Sequence, residues 1–500
     1  MSEAPTARVA AVRFHVLNMR TRFPFQYCIA SMTALPHLFV SADAEIGGRR
    51  ATGISSDGLP PKWFTKNPGT AFEDDDLPNM LASIQNAAAV AGSLGECPSF
   101  FALWQRLYAG QADWAKQAGQ PGLLANLGVS LIERALLDAM AKALGHPAHA
   151  LLRANALGID LAAIHPELRG MAPADALAPQ PLASVIARHT VGLGDPLEAR
   201  DIAPGDQLDD GLPYALDENI REYGLTHFKV KVCGDRARDF PRLRWLADVL
   251  IRETGGEFWV TFDGNEQFAS LADFADFWAE CRADGRIAPL VERTILVEQP
   301  LHRSAALADD VAAGFQGWSY APPVIIDESD ADLSSLPRAL ELGYSGCSHK
   351  NCKGIVKGIA NAALLAKRRA KRGMSAKISQ RLGNLGIGMA WVHPPLSGED
   401  LANVGPVALL QDLAVAAALG IAHIERNGHH YFRGLSMYPD DLQAAVCSEH
   451  PDLYAARGGT AALRIEGGKL DLRSVHAAPF GCGIGFDPAR FTPLAEWGGL

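Results

Sequence analysis

From about residue 184 onward the chain repeats one rhythm: a short β-rich run, a polar residue that closes it, then a longer stretch with helical spacing. The runs are Ser184–His189, His227–Val232, Phe258–Asp263, Ile295–Glu298, Val324–Asp327 and Ser345–Lys350, with weaker ones at Val392–Glu399 and His423–Arg426. Strands that alternate with helices in this way form parallel βαβ units. Eight such units close a barrel. An open doubly wound sheet competes with it, but no Gly-x-Gly-x-x-Gly follows the first run, so the usual support for that arrangement is missing.

The N-terminal third reads differently. Arg8–Leu17 and Leu35–Asp43 alternate apolar and polar residues, and Gly47-Gly48 supplies a turn after them. Between Leu77 and Leu152 the spacing becomes helical. It is clearest where Val129, Ile132, Ala135, Leu136, Ala139, Met140 and Ala143 share one face before Gly145 and Pro147 end the helix. Pro166, Pro173, Pro179 and Pro181 mark a linker. Past Ala461 alternation returns with Leu463, Ile465, Leu470 and Leu472 around Gly467-Gly468, which predicts a hairpin that rejoins the first domain. The fold class expected is therefore α/β: a modified TIM (β/α) barrel over residues 181–445, with an α+β capping domain formed by residues 1–180 and a C-terminal segment, 446–500, returning to it.

Composition narrows the partners. A net charge of −10 is the wrong sign for holding phosphate backbones, so no nucleic acid is expected. The most apolar stretch, Val407–Ile421, is interrupted by Gln411 and Asp412 and is shorter than the roughly 20 residues that span a bilayer, so no membrane partner is expected either. The opening Met1–Pro5 has neither the basic start nor the apolar run of a secretory leader. The eight cysteines form no C-x-x-C pair, which suggests reduced thiols. These features together predict a cytoplasmic location.

The residues that close the β-runs carry the chemistry, because reactive groups in a parallel barrel sit at the carboxyl ends of its strands. The closing residues are Lys229-Val230-Lys231, Asp263-Gly264-Asn265, Glu298-Gln299-Pro300, Asp327-Glu328-Ser329 and Lys350-Asn351. Successive ends from Lys231 to Lys350 lie 32, 35, 29 and 23 residues apart, each about one βα unit, which would gather all five around one mouth. Three converging carboxylates repel one another unless a cation lies between them, and hard oxygen donors select Mg²⁺, with Mn²⁺ as the alternative. Asp263, Glu298 and Asp327 are the expected ligands, with Glu328 in reserve because strand alternation turns it away from Asp327. Lys229 and Lys231, two apart on a strand, share a face. A lysine beside another ammonium and a divalent cation loses proton affinity, which brings it toward use as a base.

This ordered set of strand ends, K-x-K, Asp-x-Asn, Glu-x-Pro, Asp-Glu-Ser and Lys, resembles the enolase superfamily in its mandelate racemase and muconate lactonizing enzyme branch. The first domain is similar too, at Thr21-Arg22-Phe23-Pro24-Phe25, Thr33–Val40 and Leu131–Asp138. The resemblance implies Mg²⁺-assisted removal of the proton α to the carboxylate of a small acid, with a metal-stabilised enediolate; superfamily members use a Lys or His base with Mg²⁺. It makes Lys231 the base on one face of the substrate, Lys350 the acid or base on the other, and Lys229 the group that neutralises the substrate carboxylate. Asn265, Glu425, Arg22 and Tyr27 are the substrate-binding candidates, the last two, with Arg20, on the loop that covers the barrel mouth in the family. A homo-oligomer is usual there.

The chain also departs from the pattern. Lys350-Asn351-Cys352-Lys353-Gly354-Ile355 is shorter than the family's segment after the sixth strand, and no His–Asp dyad is evident, although His393 lies nearby. Extra length falls at Pro166–Asp210 and Lys377–His393. Two lysines on opposite faces favour racemisation, epimerisation or cycloisomerisation; an acid at Glu425 or His429 would instead favour dehydration of a sugar acid. A Schiff-base lysine would leave the carboxylates unexplained. A noncatalytic scaffold would leave five intact strand ends without a use. The adjacent His429-His430 read as packing residues, and the basic run Lys367–Arg372 as the solvated end of a helix.

Overall fold

The computed structural model describes residues 4–27, 29–318, 321–371 and 395–500. Its N-terminal sheet is an antiparallel meander of β1 (Ala7–Tyr27), β2 (Ala30–Ile46) and β3 (Arg49–Gly58). The Ile46↔Arg49 pair closes a two-residue turn in which Gly47 and Gly48 have φ of +53° and +78°, the handedness that suits a tight hairpin and strains any L side chain. The runs expected at Arg8–Leu17 and Leu35–Asp43 lie inside β1 and β2.

Against this sheet packs the helix Gly122–Leu144, ended by Gly145 at φ +69°. The sequence suggests one apolar face, but every residue from Leu123 to Ala141 is buried. The sheet, two preceding helices (Leu77–Ser93 and Phe100–Ala118) and the barrel cover it from all sides, and β3 comes so near that a Cβ at Gly53 would lie 1.9 Å from the carbonyl of Ala135. Its polar residues are accordingly paired. Arg134 donates to Asp57 and to the Ser56 carbonyl, and Asp138 accepts from Ile54 N (2.8 Å) and Lys142. Glu133 reaches out of the domain and accepts from Ile355 N (2.9 Å) and Val356 N (2.6 Å), capping the helix Ile355–Lys371 of the barrel.

The barrel consists of eight parallel strands: β4 (Ser184–Val191), β5 (His227–Lys231), β6 (Trp259–Asp263), β7 (Thr294–Glu298), β8 (Val324–Ile326), β9 (Gly346–His349), β10 (Leu396–Gly398) and β11 (His423–Arg426). Each pairs with the next, and β11 pairs with β4, from His423↔Ile186 to Arg426↔His189, so the sheet closes. Four runs end one residue sooner than expected, at Lys231, Ile326, His349 and Gly398, which leaves Asp327, Lys350 and Glu399 just beyond β8, β9 and β10. The part of the seventh run at Val392–His393, like the extra length at Lys377–His393, falls outside the described residues.

The tail departs from expectation. Its antiparallel pair is β12 (Tyr454–Arg457) with β13 (Thr460–Leu463), which turns at Gly458-Gly459. Gly467 and Gly468, at φ +54° and +70°, do turn a hairpin, but one of a single bridge, Glu466↔Lys469, and β14 (Lys469–Asp471) pairs antiparallel with β4, with Leu470 opposite Val185. Leu463 and Leu470 thus belong to different ladders, because β4 offers β14 an open row of backbone groups. β15 (Thr492–Pro493) then pairs with β1 opposite Val16 and His15, a fourth strand of the N-terminal sheet. Among the described residues no helix is long and apolar enough to cross a membrane.

Candidate active site

Strand register sets the site. Lys231, Asp263 and Glu298 lie side by side at one level of β5, β6 and β7, and Glu298 stands opposite Ile325, which puts Asp327 two residues further along the same face. One layer deeper, Thr190, Lys229 and Thr261 are aligned. The expected lysine, acid, acid, acid order therefore becomes a contiguous arc. β5 and β9 are the second and sixth strands of eight, so Lys231 and Lys350 face each other across the barrel.

Lys229 is the buried hub of this arc. Its Nζ lies 2.8 Å from Glu298, 2.7 Å from Glu399 and 3.1 Å from both Asp263 and Glu425, and only 1% of its side chain is exposed. It does not line the cleft described below, and four protein carboxylates surround its ammonium. Lys231 donates to Asp263 at 2.5 Å. Burial works against the charge on both lysines, yet Asp263 and its neighbours outweigh burial and hold both ammonium groups above the ordinary lysine range. Acids outnumber bases around both ammonium groups, and the expected loss of proton affinity belongs to a lysine beside a divalent cation.

Glu298 is pushed well above the usual carboxyl range by burial, then by Asp263 and Glu399. Burial opposes charge on Asp327 too, but Lys350 and Lys353 hold it well below that range. Lys350 Nζ and Lys353 Nζ each lie 2.8 Å from an Asp327 oxygen, and Ser348 also donates to this carboxylate. Glu328 points elsewhere. Both of its oxygens are buried without a hydrogen-bond partner, and burial followed by Asp327 pushes it up to about 7. Among the described residues no three His, Cys, Asp or Glu side chains stand ready to hold a metal ion. The donor set nevertheless fits a hard divalent cation: three carboxylates on neighbouring strand ends, one of them forced toward protonation by the others, with ammonium groups supplying the positive charge between them.

A cleft opens above this arc, lined from the barrel by Lys231, Asn265, Lys350, Asp400, Leu401, Ala402, Glu425 and Asn427, and from the N-terminal domain by Phe25, Tyr27, Met32, Pro60 and Trp63. It holds about 430 Å³ of space outside atoms, its open mouth included. Of the substrate-binding candidates, Asn265, Glu425 and Tyr27 border it. Arg22 does not: its guanidinium is spent on Asp210 (2.6 Å), the Pro213 and Leu212 carbonyls and the His430 carbonyl (2.8 Å), a clamp on the 210–213 loop. Arg20 lies exposed on β1. Glu425 accepts from Thr190 (2.8 Å), and although burial opposes its charge, Lys229 and Lys231 hold it well below the usual range. Burial pushes the Glu399 carboxyl up, against the opposing pull of Arg188 and Lys229, with which it pairs.

Several site residues escaped the sequence reading. Trp63 lies with its ring centroid 4.3 Å from Lys350 Nζ. The loop that carries it is pinned by Lys66, which donates to the Asn265 carbonyl and Glu266, and by Arg303, which donates to the Trp63 and Phe64 carbonyls. Arg188 on β4 donates to Glu399, and Asp400 pairs with Arg426 in full burial. Glu399 was within reach of the strand-end rule, since it follows β10 directly; nothing local marks Trp63. His429 and His430 are packing residues, but on a short helix, Gly428–Tyr431, and not on a strand; His429 bonds His189 at 3.1 Å. Among the described residues, non-glycine positive φ occurs at Lys62, Lys66, Asn155, Asn265, Glu266, Gln299 and Ala402; Asn265 and Ala402 line this cleft, and Lys66 bonds to Asn265 and Glu266 from the loop that carries Trp63. Such backbone persists only where its surroundings hold it, and it concentrates at functional sites.

No family model matches the chain, and no curated protein matches it. Solved structures do. A muconate lactonizing enzyme from Pseudomonas fluorescens, complexed with muconolactone, superposes with a TM-score of 0.56 at 17% identity, covering 97% of this chain and 98% of that one. An enolase from Bradyrhizobium, complexed with magnesium and mandelic acid, gives 0.54 at 15% identity with the same coverage. A dipeptide epimerase from Enterococcus faecalis V583, complexed with Mg and the dipeptide L-Leu-L-Tyr, gives 0.52 at 15%, covering 93% and 99%. The fold is therefore the modified barrel and capping domain of mandelate racemase/muconate lactonizing enzyme structures.

Proposed function

We propose that this protein belongs to the mandelate racemase/muconate lactonizing branch of the enolase superfamily and is an isomerase that moves the proton α to the carboxylate of a small acid. One observation carries the reading: Lys231 and Lys350 line one cleft from strands that face each other across the barrel. An α carbon held between them has one amine on each face, the arrangement that racemisation or epimerisation requires and that cycloisomerisation can use. Asp263, Glu298 and Asp327 would hold a divalent cation, Mg²⁺ or Mn²⁺, which when bound supplies Lewis-acid stabilisation of the charge that builds on the substrate carboxylate.

The remaining work falls to the chain's own groups. Lys231 Nζ takes the proton from one face once its ammonium has given up its own, and Lys350 Nζ returns a proton to the other. Lys353 shares Asp327 with Lys350, and the Trp63 ring covers the Lys350 ammonium, so two contacts fix that amine in the cleft. Lys229, beneath them, keeps Glu298, Glu399 and Glu425 from repelling one another. Phe25 and Trp63 give the cleft part of its apolar lining. Dehydration of a sugar acid has less support: Glu425 is held ionised by Lys229, and His429 does not border the cleft.

The test is proton exchange. With Mg²⁺ in D₂O, a panel of hydroxy acids, sugar acids and N-acylated or dipeptide-type amino acids is followed by mass spectrometry for wild type, Lys231→Ala and Lys350→Ala. Deuterium uptake at Cα without loss of water, abolished by Lys231→Ala, is the expected result. Uptake that survives in both variants refutes the assignment, and loss of water in place of exchange moves the protein to the lyases.

A further inference from the structure

We infer that the acid handled at this cleft carries an apolar substituent of aromatic or branched-aliphatic size beside its α carbon, and not a chain of hydroxyls; this rests on the proton-transfer reading above. The space next to the two amines is walled by Phe25, Met32, Pro60 and Trp63 on one side and Leu401 and Ala402 on the other. These walls are held by contacts within the protein. Phe25 and Met32 are register partners across β1 and β2, 5% and 1% exposed, and Phe25 stacks on Tyr431 with ring centroids 3.9 Å apart. Tyr27 turns its hydroxyl to the Pro61 carbonyl at 2.8 Å.

The opposite wall is held in a strained form. Ala402 has φ +61°, and its amide donates to Asp400 Oδ1 at 2.9 Å while the same carboxylate pairs with Arg426. That buried pair presents Leu401 and Ala402, and leaves Asp400's charge already met. Most other polar neighbours are committed as well: Asn265 donates to Asp263 at 3.1 Å, and Glu425 serves Lys229 and Thr190, while Asn427 offers one buried oxygen that has no partner. A polyhydroxylated chain laid against these walls would find that one acceptor and leave most of its hydroxyls without partners, a mismatch that a site punishes far more than it does a missing methylene. An apolar group loses nothing there and removes its own surface from water.

The experiment compares two classes of acid on the full chain with Mg²⁺ in D₂O: N-acetylphenylalanine and 2-hydroxy-4-methylpentanoate, each as both enantiomers, against gluconate and galactonate. Exchange at Cα is expected for an apolar acid, with kcat/KM at least roughly 30-fold above either sugar acid, a ratio within reach of apolar contacts. Leu401→Asn is expected to lower the apolar preference about tenfold or more, mostly through KM. Calorimetric titration of wild type with both classes gives a second reading that needs no variant; tighter binding of the apolar acids is expected. Lys231-dependent exchange of gluconate or galactonate that outpaces the apolar acids overturns this inference and leaves proton transfer standing. Absence of exchange from every acid overturns both.

Discussion

Glu133 ties the N-terminal domain to the barrel, and its removal makes a quantitative prediction. Its carboxylate, from the middle of a buried helix, accepts two backbone amides at the start of the barrel helix that follows Lys350 and Lys353. Glu133→Ala strands Ile355 N–H and Val356 N–H in a buried setting. Each unmet buried amide costs about 1–3 kcal/mol, and the lost interaction with the helix dipole adds roughly 0.5 kcal/mol. Water admitted to the small void recovers part of this, so about 3 kcal/mol is expected for opening the first turn. Since 1.4 kcal/mol is a factor of ten, amide hydrogen exchange at Ile355 and Val356 should accelerate roughly 100-fold, read by mass spectrometry of the peptide that spans them. Glu133→Gln keeps one acceptor and should fall between, near tenfold. The helix carries the catalytic candidates' supporting backbone, so α-proton exchange should fall with it. If protection in Glu133→Ala drops less than threefold while circular dichroism remains native, the capping bond does not hold the helix start and the reasoning fails.

Other substitutions test other links. Lys231→Ala should cut α-proton exchange by about 10²–10⁴-fold, the usual worth of a positioned base, with thermal unfolding little changed; a loss below tenfold would assign the base elsewhere. Arg134→Leu leaves Asp57 buried beside Asp412, and should destabilise the protein by about 3–5 kcal/mol in urea unfolding, as unpairing a buried charge does; a change under 1 kcal/mol would show that Asn403 alone meets Asp57. Asp412 is pushed up to about 8 by burial and then by Asp57. The folded chain therefore keeps this proton longer than the unfolded chain, so its contribution is full below the ordinary carboxyl range and is lost as pH rises toward 8. Asp412→Asn should become progressively more stable relative to wild type between pH 5 and 8, by up to about 1.4 kcal/mol per pH unit; a pH-independent difference refutes the assignment.

The barrel was legible because its signal is local. β-runs recur at one-unit spacing and close on charged residues, so strand ends such as Glu298 and Asp263 could be placed at one mouth from sequence separation alone. The N-terminal hairpin was legible for the same reason, since Gly47-Gly48 must turn whatever surrounds it. The helix at 122–144 was only half legible: its periodic face was correct, but its burial on the remaining sides comes from separate elements, most of them distant in sequence. The tail misled because alternation shows which residues want a sheet, and not which ladder will take them; Lys469–Asp471 found the edge of β4.

At the site, residue type and order determined by themselves which side chains meet: Lys231, Asp263, Glu298, Asp327 and Lys350 share a mouth because strand alternation and βα spacing leave them nowhere else. Tertiary structure alone decided what each of them is worth. Lys229 and Lys231 are adjacent on one face in sequence terms, yet one is sealed among four carboxylates and the other borders the cleft. Arg22, placed on the covering strand, is consumed by a loop some 190 residues away, while Trp63, unmarked in sequence, is carried onto Lys350. Covalent order fixes which groups can converge; charge state and access depend on the number of opposite charges and the amount of water that packing leaves around each one.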